Sequence, residues 1–285
     1  MKTQNCIKLR DLPENLQNIP SPPQQLWHKG APLEGLCSSP CLSVIGSRAI
    51  TPYGRSAMSA LLPDVIRAGV TIVSGLALGA DALAHQTAIE YGGRTIAILP
   101  SSVNEIYPAT NRQLAQAIIN HEGALLSEYP DGTDARRENF IARNRLVSGL
   151  SKALLIIEAA EKSGTLHTAN FALEQGRDVL VVPGNITSPH SAGTNNLIKA
   201  GATPVTNSQD ILRALGIDTK TVQQEIFVQT PEEQLIIDLL KKGVLGGSDL
   251  LADSQLAPAV FNQTLTMLEI RGVVKPLGND QWTIR

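Results

Sequence analysis

The sequence predicts an α/β fold in which helices cover both faces of a parallel sheet, followed by a small domain of helices and a hairpin. From residue 41 to 217, apolar runs of strand length alternate with helix-length amphipathic segments. Short turns rich in glycine and serine separate these segments. After residue 230 the pattern changes to short amphipathic helices and a final pair of strands. These three observations together indicate a larger α/β domain and a smaller second domain.

Composition agrees with this organisation and narrows the class of protein. The 285 residues suit one large and one small domain, and a 42% apolar content with mean hydropathy near zero predicts a soluble globular chain. Apolar runs are too short and too often interrupted for a membrane span, and the first residues lack the apolar core of a signal peptide. We therefore expect a cytoplasmic protein that does not contact a membrane.

Cysteine usage and net charge argue against a disulfide-bonded protein, a zinc site and a nonspecific polycation. Cys6, Cys37 and Cys41 are odd in number and lie early in the chain, which fits free thiols in a reducing compartment. With His28 they lack a fourth ligand and a usual zinc spacing, so no metal site is predicted. A net charge of −2 argues against a nonspecific polycation but allows a local basic site.

The elements follow one another along the chain with short connections. The predicted strands are Leu42–Ile45, Gly69–Val73, Thr95–Leu99, Ala124–Ser127, Ala153–Ile157, Val179–Val182 and Thr203–Val205. The predicted helices are Pro52–Arg67, Ala80–Tyr91, Asn111–Asn120, a segment from the 163–165 turn through Leu173, Asn195–Lys199 and Ser208–Leu215. We assign residues 41–217 to this domain, with residues 218–230 as a polar linker.

Residues 1–40 are rich in proline, glutamine and asparagine. Pro20, Pro22 and Pro23 oppose a regular helix. We predict an extended lead-in that packs partly through Leu26 and Trp27.

Residues 231–285 are typical of a winged helix-turn-helix domain. Three short helices at 231–242, 247–254 and 258–271 precede a hairpin whose strands flank a turn at Gly278-Asn279-Asp280. This segment carries seven acids against five bases, and phosphate attraction is a dominant affinity term for DNA. We therefore favour a module for protein contacts, with a weak DNA accessory as the alternative.

Small and polar residues recur at the carboxyl ends of the predicted strands. They are Gly46-Ser47-Arg48, Ser74-Gly75, Glu158 with Ser163-Gly164-Thr165, and Pro183-Gly184-Asn185. In parallel sheets ligands bind at this edge, and small residues let backbone N–H groups approach an anion. The chain has neither the glycine pattern of a usual dinucleotide site nor that of a P-loop. The strand ends therefore predict a phosphate-binding surface of another kind.

A cluster that combines one ring with basic and amide groups precedes the strand Ala153–Ile157. It consists of Phe140, Arg143, Asn144 and Arg145, within a stretch of five bases and one acid from Arg136 to Lys152. The ring is suited to stacking and the guanidiniums to phosphate. The cluster and the Ser163-Gly164-Thr165 turn, which opens a helix, are expected to form one surface.

With these residues laid out, the chain resembles the DNA-processing protein A family. The motifs that carry the resemblance run from Leu42 to Leu215: VIGSR, SGLALGADALAH, YPATN, SEYPDGT, RNRLVSGLS, EAAEKSGTLHTA, GRDVLVVPG and GTNNLIKAGA. The resemblance implies an extended Rossmann-like domain that binds single-stranded DNA and a C-terminal winged helix. It also implies homodimers, and a role in protecting incoming strands during natural transformation and in loading the RecA recombinase onto them.

The resemblance also implies the residues of the site. Arg48 is the arginine of VIGSR, and Phe140, Arg143, Asn144 and Arg145 form the aromatic-basic motif. Lys162, Ser163, Gly164 and Thr165 form the turn, and Lys199 lies at a helix end near the same sheet edge. Neither a catalytic residue nor a cofactor is expected.

A nucleotide-binding or nucleotide-hydrolysing enzyme is the alternative, because the same superfamily includes phosphoribohydrolases with a PGGxGTxxE motif. Thr168 stands where the glutamate of that motif would be, and a threonine is not a general base at neutral pH. Glu158 closes a strand, a position that favours a structural role. Asp81 and His85 lie four residues apart on one predicted helix, where Asp81 is expected to shape the adjacent turn.

Overall fold

The computed structural model describes residues 5–217, 230–270, 273–278 and 280–284. These residues form two compact units, and the division between them falls within residues 218–229. The predicted linker at 218–230 lies outside the described residues except for Thr230.

The first unit contains nine strands and nine helices within residues 5–217. The strands are β1 (Asn5–Lys8), β2 (Gln25–Gly30), β3 (Cys41–Ile45), β4 (Thr71–Ser74), β5 (Thr95–Ile98), β6 (Ala124–Ser127), β7 (Ala153–Ile156), β8 (Asp178–Val181) and β9 (Thr203–Pro204). The helices are α1 (Glu14–Gln17), α2 (Leu33–Leu36), α3 (Pro52–Arg67), α4 (Ala80–Glu90), α5 (Arg112–Asn120), α6 (Arg137–Leu150), α7 (Thr165–Glu174), α8 (Ala192–Lys199) and α9 (Ser208–Ala214). Short 3-10 turns lie at Leu9–Asp11 and Ala109–Asn111.

The strands of this unit form one sheet in the order β1-β2-β6-β5-β4-β3-β7-β8-β9. All neighbours from β6 to β9 pair parallel, whereas β1–β2 and β2–β6 pair antiparallel. The chain winds from β3 toward β6 in one direction and from β7 toward β9 in the other. The loops after β3 and β7 therefore diverge, which opens a crevice at the carboxyl edge of the sheet.

Helices bury both faces of the sheet because its central strands are apolar on both sides. The side chains of β3, β4, β7 and β8 are buried, except for Asp178 at the start of β8. One face packs against α6, α7 and the N-terminal segment, through residues such as Leu146, Val147 and Ala169. The other face packs against α3, α4 and α9. The loops at the carboxyl edge thus stand on a rigid base.

The N-terminal segment corrects the prediction of an extended lead-in to a domain that starts at residue 41. Residues 25–30 instead pair with β6, and residues 5–8 pair with β2 in turn, so that two antiparallel strands extend the sheet. Leu26 is fully buried and Trp27 is partly buried, as expected from their apolar side chains. The prolines lie between these strands, where they do not interrupt the sheet's hydrogen bonds.

The second unit has the predicted order of elements. Its helices are α10 (Pro231–Lys241), α11 (Gly247–Ser254) and α12 (Pro258–Ile270), and its hairpin pairs β10 (Val274–Gly278) with β11 (Gln281–Ile284). Ile236, Leu250, Phe261 and Leu268 are buried in its own core. Arg271 and Asn279, from the predicted last helix and turn, lie outside the described residues. Across the described parts of both units, we find no helix with the length and apolarity that a membrane crossing requires.

Candidate nucleic-acid interface

A cavity of about 800 Å³ opens at the crevice between the loops that follow β3 and β7. Those two loops, the loop after β4 and the N-terminal half of α6 form its walls. Nine of the predicted site residues line it: Gly46, Ser47, Arg48, Phe140, Arg143, Asn144, Ser163, Gly164 and Thr165. The sequence-predicted strand ends and the aromatic-basic motif therefore meet in one place.

The loop after β3 is fixed against the start of α4 by two glycines. The carbonyl of Ser47 accepts a hydrogen bond from the Ala80 amide at 3.0 Å. Gly79 has a φ of 75°, and a Cβ on it would lie 2.3 Å from the Ser47 carbonyl oxygen. A Cβ on Gly46 would lie 2.9 Å from the Cβ of Ala80. These glycines allow close packing that holds the backbone beside Arg48 in place.

Arg48 and two aromatic rings form a cluster in the wall of the cavity. The Arg48 guanidinium carbon lies 5.5 Å from the centroid of the Phe140 ring, a cation–π distance. Tyr107 meets the same ring edge-on, with centroids 5.4 Å apart and an interplanar angle of 80°. Arg48 is exposed and Tyr107 is 49% exposed, so a charge and a ring face remain accessible to a ligand.

The start of α7 forms the opposite side of the crevice. The Ser163 hydroxyl accepts a hydrogen bond from the Thr165 amide and donates to the Thr165 hydroxyl. The Thr165 hydroxyl in turn donates to the Gly46 carbonyl at 3.2 Å, which ties this turn to the loop after β3. Gly164 is exposed, and the N-terminal end of the helix dipole favours an anion beside it.

Arg143 has a different environment from Arg48 although both line the cavity. It is only 4% exposed, and its Nη1 donates to the carbonyls of Gly75 and Ile98, just past β4 and at the end of β5. Its Nε donates to the Asn144 side-chain oxygen at 3.2 Å. Burial lowers the pKa of Arg143 to about 10. Arg143 therefore joins the strand ends beneath the cavity and adds positive charge from below.

Asp81 lines the same cavity, and His85 lies one turn further along α4. The Asp81 carboxylate accepts hydrogen bonds from the amides of Gly75 and Ala77, as expected for a residue that shapes the adjacent turn. Burial raises the pKa of Asp81, which nearby Arg143 opposes. His85 is fully buried, its Nδ1 contacts the Thr95 hydroxyl at 2.7 Å, and burial lowers its pKa to about 3. Asp81 thereby holds the turn after β4 in place at the cavity.

Three predicted site residues lie outside the cavity wall. Arg145 makes a two-bonded ion pair with Glu128 at 2.7 and 2.8 Å, and its side chain is only 15% exposed. This pairing gives Arg145 a structural role, because its guanidinium is already occupied by a carboxylate. Lys162 and Lys199 are exposed, and neither lines the cavity. The expected positive charge therefore comes from fewer groups than the motif suggested.

The structure adds residues that were not predicted for the site. Tyr107, Arg137 and Ile141 line the cavity, and so do His167 and Thr168 on the first turns of α7. The sequence carries a signal for two of these residues. Tyr107 belongs to the quoted YPATN motif, and Arg137 lies in the basic stretch that begins at Arg136. Nothing local to either residue indicates that the two segments meet.

Glu158 lies behind the cavity and is engaged by the protein itself. It is 2% exposed, its carboxylate accepts a hydrogen bond from the Thr51 amide at 3.0 Å, and the Thr51 hydroxyl donates to it as well. Thr51 also caps α3 by accepting from the Gly54 amide. These bonds support the predicted structural role of Glu158.

Comparison with known proteins agrees with this geometry. The family model for DNA recombination-mediator protein A matches residues 5–216, which include every element of the nine-stranded sheet. The chain belongs to the DNA recombination-mediator protein A family. The match begins at residue 5, so the two antiparallel edge strands are part of the region that this family model covers.

Several relatives in this family are named for DNA processing. The chain is 38% identical to the DNA processing protein DprA of Bacillus subtilis over 73% of its own length and 70% of that protein's. It is 41% identical to the protein Smf of Synechocystis and 45% identical to that of Escherichia coli. These alignments cover 72% and 61% of this chain. The chain spans about half the length of these two Smf proteins, at 52% and 46%.

Solved structures in the family share the fold. The DprA structure from Streptococcus pneumoniae superposes with a TM-score of 0.70 at 35% identity, covering 74% of each chain. A Helicobacter pylori DprA structure, described as giving insight into its single-stranded DNA binding mode, has a TM-score of 0.67 at 32% identity. It covers 75% of this chain and 95% of its own. The predicted α/β, Rossmann-like fold class is thereby confirmed.

Proposed function

We propose that this protein binds single-stranded DNA in the cavity at the carboxyl edge of its sheet and acts on that DNA without catalysing a reaction. The observation that carries the proposal is the cluster of Arg48, Phe140 and Tyr107 in one wall of a cavity whose other wall is the start of α7. One wall offers a cation and ring faces, and the other offers the exposed Gly164 amide and the positive end of the α7 dipole.

This combination suits an unpaired strand better than a duplex. Arg48 and the Gly164 amide are suited to phosphate oxygens, which every nucleotide presents. The rings of Phe140 and Tyr107 require a base whose face is free, and in a duplex the neighbouring base pairs cover that face. Binding is expected to depend little on sequence, because these groups contact phosphates and ring faces rather than base edges.

The relatives support a role in processing DNA. The Bacillus subtilis and Streptococcus pneumoniae proteins carry the name DNA processing protein, and the Helicobacter pylori relative is described with single-stranded DNA. We propose by this resemblance that the chain acts in natural transformation and recombination in the cytoplasm, protects incoming strands, and helps to load RecA as a homodimer. The C-terminal unit is proposed to act as a winged helix that contacts proteins.

The acidic groups near the cavity support binding without turnover. The carboxylates of Glu158 and Asp81 are buried and accept hydrogen bonds from backbone amides, so both hold turns of the protein itself. Thr168, which stands where the related hydrolases have a glutamate, lies in the cavity wall. The alternative of a nucleotide hydrolase predicts release of a nucleobase from nucleoside monophosphates, whereas our proposal predicts none.

The test is fluorescence anisotropy with labelled single-stranded and duplex oligonucleotides across a salt series. The wild type should prefer the single strand and bind it more weakly as salt rises. Arg48→Ala should weaken binding and reduce the slope of log affinity against log salt by about 0.7, the value for one single-strand phosphate contact. Arg213→Ala is the matched control, because Arg213 is an exposed arginine on α9, outside the cavity.

The two variants remove the same charge, so a general electrostatic effect would weaken both equally. Equal losses for Arg48→Ala and Arg213→Ala would contradict the cavity as the binding site. Failure of the folded wild type to bind a single strand at low salt would contradict the function itself.

A further inference from the structure

A second cavity, of about 380 Å³, lies at the same edge of the sheet as the first. The start of α3, the residue that follows Ile157 after β7, and the loop between β8 and α8 form its walls. Among the described residues, none lines both cavities. The second cavity is therefore a separate feature that the proposed phosphate site does not use.

The two cavities are close neighbours along the chain. Ala160 lines the first and Glu158 lines the second, so their Cα atoms lie within about 7 Å of each other. On the loop after β3, Arg48 lines the first cavity and Thr51, three residues later, lines the second. A strand that is held in the first cavity therefore reaches the second without a long detour.

Tyr53 gives the second cavity a platform for stacking. Its side chain is 50% exposed, although it stands on the first turn of the long helix α3. Its hydroxyl donates a hydrogen bond to the Pro183 carbonyl on the facing loop, which restrains the ring. A restrained and accessible aromatic face is the feature on which unpaired bases stack.

Ser191 gives the cavity a polar group. The residue as a whole is 3% exposed, and it lines the cavity. Asn195 holds the wall beside it in place, with hydrogen bonds to both the amide and the carbonyl of Gly184. A Cβ on Gly184 would lie 2.0 Å from the Ser191 hydroxyl oxygen, so only glycine leaves room for that hydroxyl. A hydroxyl in the wall of a cavity is suited to donate a hydrogen bond to a ligand or to accept one from it.

The charges around this cavity favour an uncharged part of a nucleotide. No lysine or arginine is among its lining residues, and the buried Glu158 contributes the one acidic side chain to its described wall. A phosphate would meet that carboxylate without a compensating cation. A base and a sugar, which carry hydrogen-bonding groups but no charge, fit the ring and the hydroxyls.

We propose that the second cavity holds the base and sugar of the nucleotide adjacent to the one bound at Arg48, with the base on Tyr53 and a hydrogen bond to Ser191. This inference rests on the proposed function and adds to it a second, uncharged subsite. Arg48 would then hold the strand by its phosphate, and Tyr53 would determine how the strand leaves the first cavity.

The test uses short oligothymidylates that carry a single 2-aminopurine at each position in turn, because stacking quenches its fluorescence. On the wild type, two neighbouring positions should be quenched. Phe140→Ala should restore the fluorescence of one position and Tyr53→Ala that of the other. Tyr53→Phe keeps the ring and loses only the bond to Pro183, so it should keep more quenching at that position than Tyr53→Ala. Strands long enough to fill both cavities should bind Tyr53→Ala about 5-fold or more weakly, and the shortest bound strand should be unaffected.

Ser191→Ala provides a second variant with little risk to the fold, because it removes only the oxygen. It should also weaken long strands selectively. Quenching and affinity that are unchanged in both Tyr53→Ala and Ser191→Ala, while the wild type binds, would overturn the subsite and leave the first cavity standing. A wild type that binds no single strand would overturn the proposed function, and the subsite with it.

Discussion

Arg48 and Arg143 line the same cavity, but their guanidiniums meet different surroundings. Arg48 is exposed and packs against a ring, so it can reach a phosphate without losing a bond within the protein. Arg143 is buried and donates to two carbonyls from neighbouring strands. We predicted phosphate contacts for both from the sequence. A motif shows the type of side chain, but it does not show which groups of the protein that side chain already binds.

This difference predicts a large loss of stability for a substitution of Arg143 and a small one for a substitution of Arg48. Arg143→Leu should lower the free energy of unfolding by about 2–4 kcal/mol, because it leaves the Gly75 and Ile98 carbonyls buried without their charged donor. Arg48→Ala should change it by less than about 0.5 kcal/mol, as is usual at an exposed position. Urea unfolding followed by circular dichroism measures both values. Equal stability losses would contradict the assigned roles.

His85 predicts a pH dependence of stability. Its folded pKa of about 3 lies below the unfolded value of 6.5, so the unfolded chain binds a proton first as the pH falls. The stability from neutral His85 is complete above pH 6.5 and should fall by about 2 kcal/mol between pH 7 and pH 5. Asp81 acts in the opposite direction, because burial raises its pKa and the folded state takes up its proton more readily.

The substitution His85→Leu isolates this contribution. The variant should lose less stability than the wild type between pH 7 and pH 5, measured by urea unfolding at each pH. The readout is the difference between the two pH slopes, so a uniform loss of stability in the variant does not affect it. Parallel slopes would show that His85 does not titrate as its burial implies.

At the scale of the element, the antiparallel edge strands carry the next prediction. Leu26 lies in β2 and is fully buried in the core beneath α6. Leu26→Ala should therefore cost about 2–5 kcal/mol, the range for truncating a buried leucine. Leu173→Ala is the matched control, because Leu173 is 59% exposed on α7. A similar small effect in both variants, measured by urea unfolding, would contradict the role of residues 25–30 in the core.

The central strands could be predicted because each is a short apolar run bounded by a turn. The run from Ala153 to Ile157 can be recognised without knowledge of its neighbouring strands. Both of its faces are buried, so every residue in it is apolar. The strand at Gln25–Gly30 has no such mark, because it mixes polar and apolar residues and follows a series of prolines. Its partner strand β6 lies about a hundred residues away in sequence, and no local feature of either segment indicates that the two pair.

The same reasoning explains how far the site could be predicted. Strand-end residues such as Ser47 and Gly164 were found because parallel strands share one carboxyl edge. The ion pair of Arg145 could not be predicted, because its partner Glu128 follows β6, well before Arg145 in the chain. Tyr107 was overlooked for a related reason: its contact with Phe140 joins the loop after β5 to helix α6, and these segments are separate in the chain. Topology therefore brings the strand ends together, while pairing between side chains decides which of them remain available.

At the scale of the whole molecule, the division into two units separates the proposed tasks. The cavity belongs entirely to the first unit, and every residue in its wall lies between Ile45 and Thr168. The second unit has its own core, so the first does not need it to complete the sheet. The segment from residue 231 to 285 has more acids than bases, which disfavours phosphate binding there.

This division predicts that a chain ending at residue 222 binds single-stranded DNA as the full chain does. Its dissociation constant should lie within about 3-fold of the full-length value, a difference below about 0.7 kcal/mol, and its salt slope should be unchanged because the same phosphates are contacted. A chain of residues 223–285 should not bind under the same conditions. Anisotropy with one labelled strand measures all three proteins, and circular dichroism verifies that each is folded. A large loss of affinity in the chain that ends at residue 222 would show that the second unit contributes to DNA binding. That result would contradict the proposal that this unit contacts proteins.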